Sequence, residues 1–337
     1  MSKQLNLRQI ARLARTSKSS VSRVLTNHPN VAPATRARIE KVIEEQGYRP
    51  NVFARGLAGG RTGLIAAITA EMTSGFYAEV LKGIDQVVSE QGGHVLSSFA
   101  HGAEDYDRFW RRMIDTRQAD GIILIAPPLG IFERPPHRID YPTVLCASRP
   151  PGPDAPGWDN VPTASVNNRA AMACLLQELH AHGRRRIVYL AGPPNVYDAN
   201  ERRRAVEEFA AAHRDWQVTF LQAGHGHELG REVVREYLEA HPEPEAFVCF
   251  NDATAYGALQ ELRARNLTHV LVTGCDDETA AAAMNLTTLH MPMPALGQAA
   301  ARLLLERLSA GAAPAPAHHA VLDLQLCWRA EGHTGSP

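Results

Sequence analysis

Apolar residues recur at helical spacing through the first 46 residues, then change character from Leu64 onward. Ile10, Ala11 and Ala14 share one face of a first helix, and Val21, Val24 and Leu25 share one face of a second. Between them Arg15 and Thr16 lead to Ser17, a good N-cap for the second helix. Two short helices around so brief a break have the layout of a helix-turn-helix, whose second helix lies in the DNA major groove. The polar face of that second helix carries Lys18, Ser19, Ser22 and Arg23. Pro33 opens a third helix, predicted over roughly 33–46, with Ile39, Val42 and Ile43 as its stripe and Gly47 as its stop. A break at Tyr48–Asn51 precedes a short helical stretch, Val52–Ala58, too small to be stable alone.

Beyond Leu64 short apolar runs alternate with helical patterns. The spacing predicts strands at 64–70, 94–100, 121–126 and 143–147, with helices at 76–91 and 104–116. The alternation restarts with strands at 186–191, 218–221, 246–250 and 269–274 and helices at 200–213, 228–240 and 253–265. Such alternation predicts parallel sheets covered on both faces, and two series predict two Rossmann-like lobes. Ligands of such sheets bind beyond the carboxyl ends of the strands, which here places a pocket between the lobes.

Charge sharpens this division. Residues 1–61 hold 12 Lys and Arg against three Asp and Glu, a net of +9, and the remainder carries −10, so the overall −1 conceals a basic head on an acidic body. That is the footprint of a nucleic-acid-binding segment. Five scattered cysteines without C-x-x-C spacing argue against a disulfide framework and a zinc site. No apolar run reaches 18 residues and no signal peptide is evident, so a cytoplasmic protein without a membrane partner is expected. No phosphate loop, nucleophile elbow or zincin motif is present, and no cofactor or catalytic group is expected. His225-Gly226-His227 and His318-His319 lack the carboxylates or cysteines of a metal set.

The phrases SVSRVLTNHPNV, TRARIEKVIEEQGYRPN and ARGLAGGRTGLI resemble the lactose-repressor (LacI/GalR) family of bacterial transcription regulators. The resemblance continues through FYAEVLKGID, ADGIILIAPP, RRIVYLAGPP, FNDATAYGAL, VTGCDDE and LTTLHMPMPALGQAAARLLL, nearly the whole chain. It implies a multidomain chain: an all-α helix-turn-helix head over 1–50, a hinge helix and linker over 51–61, and a two-lobed α/β body over 62–330 like the periplasmic binding proteins. The lobes are expected at about 62–164 with 294–321 and 165–291 with 322–330, followed by a disordered tail, 331–337. It also implies a regulator, a repressor in the first instance, that binds palindromic operator DNA as a homodimer under the control of a small effector. The helices near 76–91 and 294–309 are the candidate dimer interface. No heptad repeat follows residue 309, so a coiled-coil tetramer is not expected.

The resemblance assigns residues as well. Lys18, Ser19 and Arg23 match base-reading positions, while Ser17, Ser20 and Ser22 meet phosphates or cap the helix. Asn51, Ala54 and Leu57 fall in the hinge, with Leu57 as a minor-groove wedge. In the body Phe76, Arg202, His225, Asn251 and Asp276 carry over to the effector cleft; Arg203 is the alternative register for Arg202, and His225 is equally a solvated loop residue. Asp252 reads as the N-cap of 253–265. Arg, Asn and Asp at different strand ends suit a sugar or related polyol; a purine or nucleoside corepressor is the alternative effector, and a transport solute-binding protein the alternative class. Three departures stand out: Arg15 where the family has Gly, Ala32 where it has a capping Ser, and Ile125, Ala147, Met291 and Met293 where polar or aromatic contacts occur, which predicts a more apolar pocket floor.

Overall fold

The structure, a computed structural model, describes residues 5–25, 28–48, 61–70, 75–133, 141–152, 155, 157–158, 160–310 and 318–330. It divides into two units, Met1–Thr62 and Gly63–Pro337.

The first unit is three helices, α1 (Leu7–Leu13), α2 (Lys18–Leu25) and α3 (Pro33–Glu45). Ile10, Ala11, Ala14, Val21, Val24 and Ile39 form its buried core, with Leu25, Val42 and Ile43 half-buried around it. The helix starts are unequal. Asn6 and Gln9 form a reciprocal capping box at α1, a signal the apolar spacing does not carry. Ser17 caps α2, its Oγ accepting from the Ser20 backbone N–H at 3.1 Å. Ala32 precedes α3 with no side-chain cap, as its methyl group dictates. The helix ends of α1 and α3 share one construction. Thr16 N–H donates to Ala11 O and Arg15 N–H to Arg12 O, while Tyr48 N–H donates to Ile43 O and Gly47 N–H to Glu44 O. This closing motif needs a left-handed residue, and the chain uses Gly47 (φ 56°) in one case and Arg15 (φ 48°) in the other. Arg38 of α3 braces the arginine turn, its Nε donating to Ala14 O at 2.8 Å.

The second unit holds two six-stranded sheets of matching strand order. The first runs β11-β5-β4-β3-β1-β2 and the second β12-β10-β9-β8-β6-β7. The strands are β1 (Leu64–Thr69), β2 (His94–Phe99), β3 (Gly121–Ile125), β4 (Thr143–Cys146), β5 (Thr163–Val166) and β11 (His319–Leu322); then β6 (Arg186–Ala191), β7 (Gln217–Gln222), β8 (Ala246–Cys249), β9 (Leu271–Asp276), β10 (Thr287–His290) and β12 (Gln325–Cys327). All recorded pairings are parallel except that of β10 with β12. Central strands are buried throughout, as their unbroken apolar runs require. The edge strands β2 and β7 are largely exposed, so cover on both faces holds only for the sheet centres.

Helices α4 (Gly75–Glu90) and α5 (Ala103–Thr116) serve the first sheet; α6 (Asn168–Ala181), α7 (Tyr197–Ala212), α8 (His227–Ala240), α9 (Asp252–Ala264) and the short α10 (Thr279–Ala283) serve the second. The long α11 (Met293–Ala310) returns the chain to the first sheet and packs on α4. These two helices cross at glycines: a Cβ on Gly83 would lie 2.0 Å from Pro294 O, and one on Gly297 2.1 Å from Val80 O. That close crossing seats the first turn of α4, which carries Phe76 and Tyr77.

Strand and helix types follow the sequence pattern, with three corrections. The strand expected at 269–274 runs two residues later, so Asp276 is its last residue rather than a loop residue. The helix expected at 200–213 begins at Tyr197 and takes in Asp198. The pattern between residues 148 and 185 gave no element, yet it holds β5 and α6. The expected tail and the hinge helix lie outside the described residues.

Candidate functional site

Two sites must be built separately, one in each unit. In the head, burial of Val21 and Val24 turns the other face of α2 outward. Ser17, Lys18, Ser19, Ser22 and Arg23 are exposed there, and Ser20 is half-buried. The serines are organised before any ligand arrives: Ser17 Oγ lies 2.7 Å from Ser19 Oγ and 2.9 Å from Ser20 Oγ. Ser17 therefore spends its oxygen on the helix start. Hydroxyls, an ammonium and a guanidinium on one exposed helix face suit phosphate and base-edge contacts. Asn51, Ala54 and Leu57 lie outside the described residues.

In the body a pocket of about 430 Å³, its open mouth included, lies at the carboxyl ends of strands from both sheets. All five effector candidates line it: Phe76, Arg202, His225, Asn251 and Asp276. Phe76 comes from the first turn of α4, Arg202 from α7, and the other three from the loops and ends following β7, β8 and β9.

Arg202 is 2% exposed and tightly held. Its Nε donates to Asn168 Oδ1 at 2.9 Å and its Nη1 to Phe250 O at 2.7 Å. Its guanidinium carbon also stands 5.1 Å from the Phe250 ring centroid. Gly192 makes this possible, because a Cβ there would lie 2.4 Å from the Phe250 ring. The neighbouring Arg203 instead pairs with Glu207 at 2.8 Å on the helix surface and does not line the pocket.

Asn251 caps α9, its Oδ1 accepting from Thr254 N–H at 3.0 Å and Thr254 Oγ1 at 2.7 Å. That leaves its Nδ2 as the remaining donor at the pocket. The N-cap expected at Asp252 is thus Asn251, because Asp252 already has helical backbone. Asp252 works inward: it accepts from Glu278 N–H at 2.9 Å and Thr288 Oγ1 at 2.6 Å, and burial pushes its pKa up to about 6. Asp276, buried at the end of β9, has φ 136°, a conformation L-residues rarely adopt. Burial raises its pKa well above the usual carboxylate range, with Arg202 opposing. Its neighbour Asp277 (φ 56°) turns away to Arg329, His290 and Cys327. His225 stands at the rim, exposed, with its ring 5.1 Å from that of Phe250. Desolvation of its ring where it faces the cleft, and then the Arg202 charge, lower its pKa.

Several lining residues were not foreseen. Asp198 lies one turn before Arg202, and its carboxylate accepts from Asn168 Nδ2 at 2.8 Å. The i, i+4 Asp–Arg spacing lies within α7, which starts three residues before the expected position 200. Tyr77 lines the pocket beside Phe76, its phenol pKa pushed up to about 12 by burial, then by Asp198 and Asp276. The apolar lining is Ala126, Val196, Phe250 and Met291, with Phe76. Ile125, Ala147 and Met293 are buried in the core instead, which corrects the expected floor. Of the remaining histidines, His227 meets Glu228 and His319 meets Thr163.

Comparison with known proteins agrees with this division. Residues 6–51 match the model for bacterial regulatory proteins of the lacI family, and residues 176–330 the model for a periplasmic binding protein-like domain. The transcriptional regulator CelR of Thermobifida fusca is 29% identical over 317 residues, covering 90% of this chain and 92% of that one. The transcriptional repressor PurR of Aliivibrio fischeri is 27% identical over 320 residues, covering 90% and 91%. Among solved structures, a CelR–cellobiose complex superposes with a TM-score of 0.66 at 26% identity, covering 96% of this chain and 99% of that one. The lac repressor dimer bound to operator and an anti-inducer shares the fold, with a TM-score of 0.81 at 22% identity over 97% and 98% of the two chains. The chain thus carries a lacI-type helix-turn-helix head and a two-sheet periplasmic-binding-protein-like body, and its homologues along nearly its full length are transcriptional regulators of the LacI family.

Proposed function

We propose that this regulator is a cytoplasmic repressor that binds a two-fold operator as a homodimer and is controlled by a small polyhydroxylated effector in the body cleft. The observation that carries the effector reading is the convergence of Arg202, Asn251, Asp276 and Asp198 on one pocket with apolar walls. Guanidinium and amide donors opposite carboxylate acceptors complement vicinal hydroxyls, each of which donates and accepts. The solved CelR relative holds cellobiose, a compound of that chemistry.

In the head, Lys18, Ser19 and Arg23 read base edges, Ser20 and Ser22 contact phosphates, and Ser17 orders the helix start. Leu57, with Asn51 and Ala54, serves as the minor-groove element of the hinge. The helices α4 and α11 of each copy form the dimer face. Effector and operator act on one chain, so each must change the affinity of the other by the same factor.

A mobility-shift titration of the full chain on the DNA upstream of its own gene tests this. Specific retention, altered by a member of a sugar and polyol panel, is the expected result. No specific retention with any panel member would overturn the regulator reading.

A further inference from the structure

The cleft lining is not balanced in charge. Asp198 and Asp276 are both buried, each 6% exposed. Against them, Arg202 is the one permanently cationic side chain among the described lining residues.

Arg202 is also not spent on either carboxylate directly. Among the described residues no ion pair within 4.0 Å joins it to Asp198 or Asp276; Asn168 stands between Arg202 and Asp198. A guanidinium only donates, so Asn168 Oδ1 is the acceptor from Arg202 Nε at 2.9 Å. Asn168 Nδ2 is then the donor to Asp198 Oδ1 at 2.8 Å. This amide relay fixes both side chains but moves no charge between them. Asp198 lines the pocket, and its second oxygen makes no hydrogen bond with any described residue. Asp276 is more exceptional: its carboxylate makes no hydrogen bond or ion pair with any described residue, although it is buried and lines the cleft. Its oxygens open on the cleft rather than being sealed in the protein, so a ligand that displaces water there must replace that water with donors or positive charge. Burial raises the pKa of both carboxyl groups, and Arg202 opposes the rise in each case.

We propose that the ligand of the cleft is a polyhydroxylated compound with a cationic amino group, an amino sugar or amino polyol, whose ammonium offsets Asp198 and Asp276. This rests on the reading of the cleft as an effector site for polyols and names the class within it. Arg202 Nη2 and Asn251 Nδ2 then serve the hydroxyl groups, and Phe76 and Met291 the apolar face of the ring or chain.

The test is calorimetric titration of the full chain at pH 7 with matched probes. Glucose, galactose and mannose are compared with their 2-amino and 6-amino derivatives and with the N-acetylated 2-amino forms, which keep the shape and lose the charge. The expected result is an amino member that binds at least about tenfold tighter than both its hydroxyl parent and its N-acetyl form. Asp276→Asn and Asp198→Asn, near-isosteric changes, are each expected to bring that preference to within about threefold. Neutral parents binding as tightly as the amines would overturn the charge inference and leave the polyol reading standing. A preference that persists in both Asn variants would overturn the assignment to these carboxylates. Binding by no member of the panel would overturn the polyol reading itself, and this inference with it.

Discussion

Arg202 holds Phe250 twice, through a hydrogen bond to its carbonyl oxygen at 2.7 Å and through its guanidinium 5.1 Å from the ring centroid. Phe250 in turn fills the space left by Gly192 and carries the His225 ring at 5.1 Å. The ends of β6, β7 and β8 are therefore fixed around one aromatic ring, with the buried arginine as its clamp.

Gly192→Ala tests that clamp without touching a polar group of the site. The added methyl would stand 2.4 Å from the Phe250 ring, so the ring must move and take Arg202 out of register. Effector affinity is expected to fall at least about tenfold, read by titration, with operator retention in a mobility shift unchanged. Effector affinity within twofold of the parent would show that the ring position is not required.

The left-handed arginine of the head gives a second prediction. Arg15 at φ 48° occupies the same motif position as Gly47 at φ 56°, and a side chain there costs about 1 kcal/mol. Arg15→Gly is expected to slow amide exchange in α1 and α2 about fivefold, the factor that about 1 kcal/mol represents. Unchanged exchange would mean that the Arg15 side chain offsets its own backbone strain.

How far the sequence carried depended on the kind of signal. The left-handed need at Arg15, the missing cap at Ala32 and the central strands were all legible, because each follows from local chemistry. The five effector candidates came from resemblance, and the pocket contains them all. Asp198, Tyr77 and Phe250 were missed for different reasons. Asp198 falls in the three residues by which the helix starts earlier than its apolar pattern. The Phe250 ring matters only because β6 ends in Gly192 beside it, a tertiary fact no spacing encodes. Strands β11 and β12, four and three residues long, take their place from pairing partners 156 residues away for β11 and 35 to 39 for β12.

Asp252 should leave a mark on the pH dependence of stability. Its pKa rises from 3.8 to about 6, first through burial, so the folded state holds this proton more tightly than the unfolded chain. The stabilisation is fully present below the unfolded pKa and is lost as pH rises through about 6. Asp252→Asn, which still accepts from Glu278 N–H, is expected to flatten this part of the profile between pH 4 and pH 7. Denaturant unfolding of both proteins is expected to differ in that slope by a total on the order of 1–3 kcal/mol. Parallel profiles would contradict an elevated pKa at Asp252.

Base reading by Arg23 is separable from phosphate contact. Arg23→Ala is expected to relax preference at one half-site position at a cost of roughly 1–3 kcal/mol, measured on a set of single-base operator variants. Equal weakening on every variant would make Arg23 a phosphate contact.

The most direct test of the central claim, that the cleft ligand and the operator are coupled through one chain, is a closed binding cycle on the full chain. Operator Kd is measured with and without the tightest-binding panel compound, and the Kd of that compound with and without operator. The account predicts that both ratios differ from one and equal each other. Equal affinity of the compound for free and operator-bound protein would contradict it.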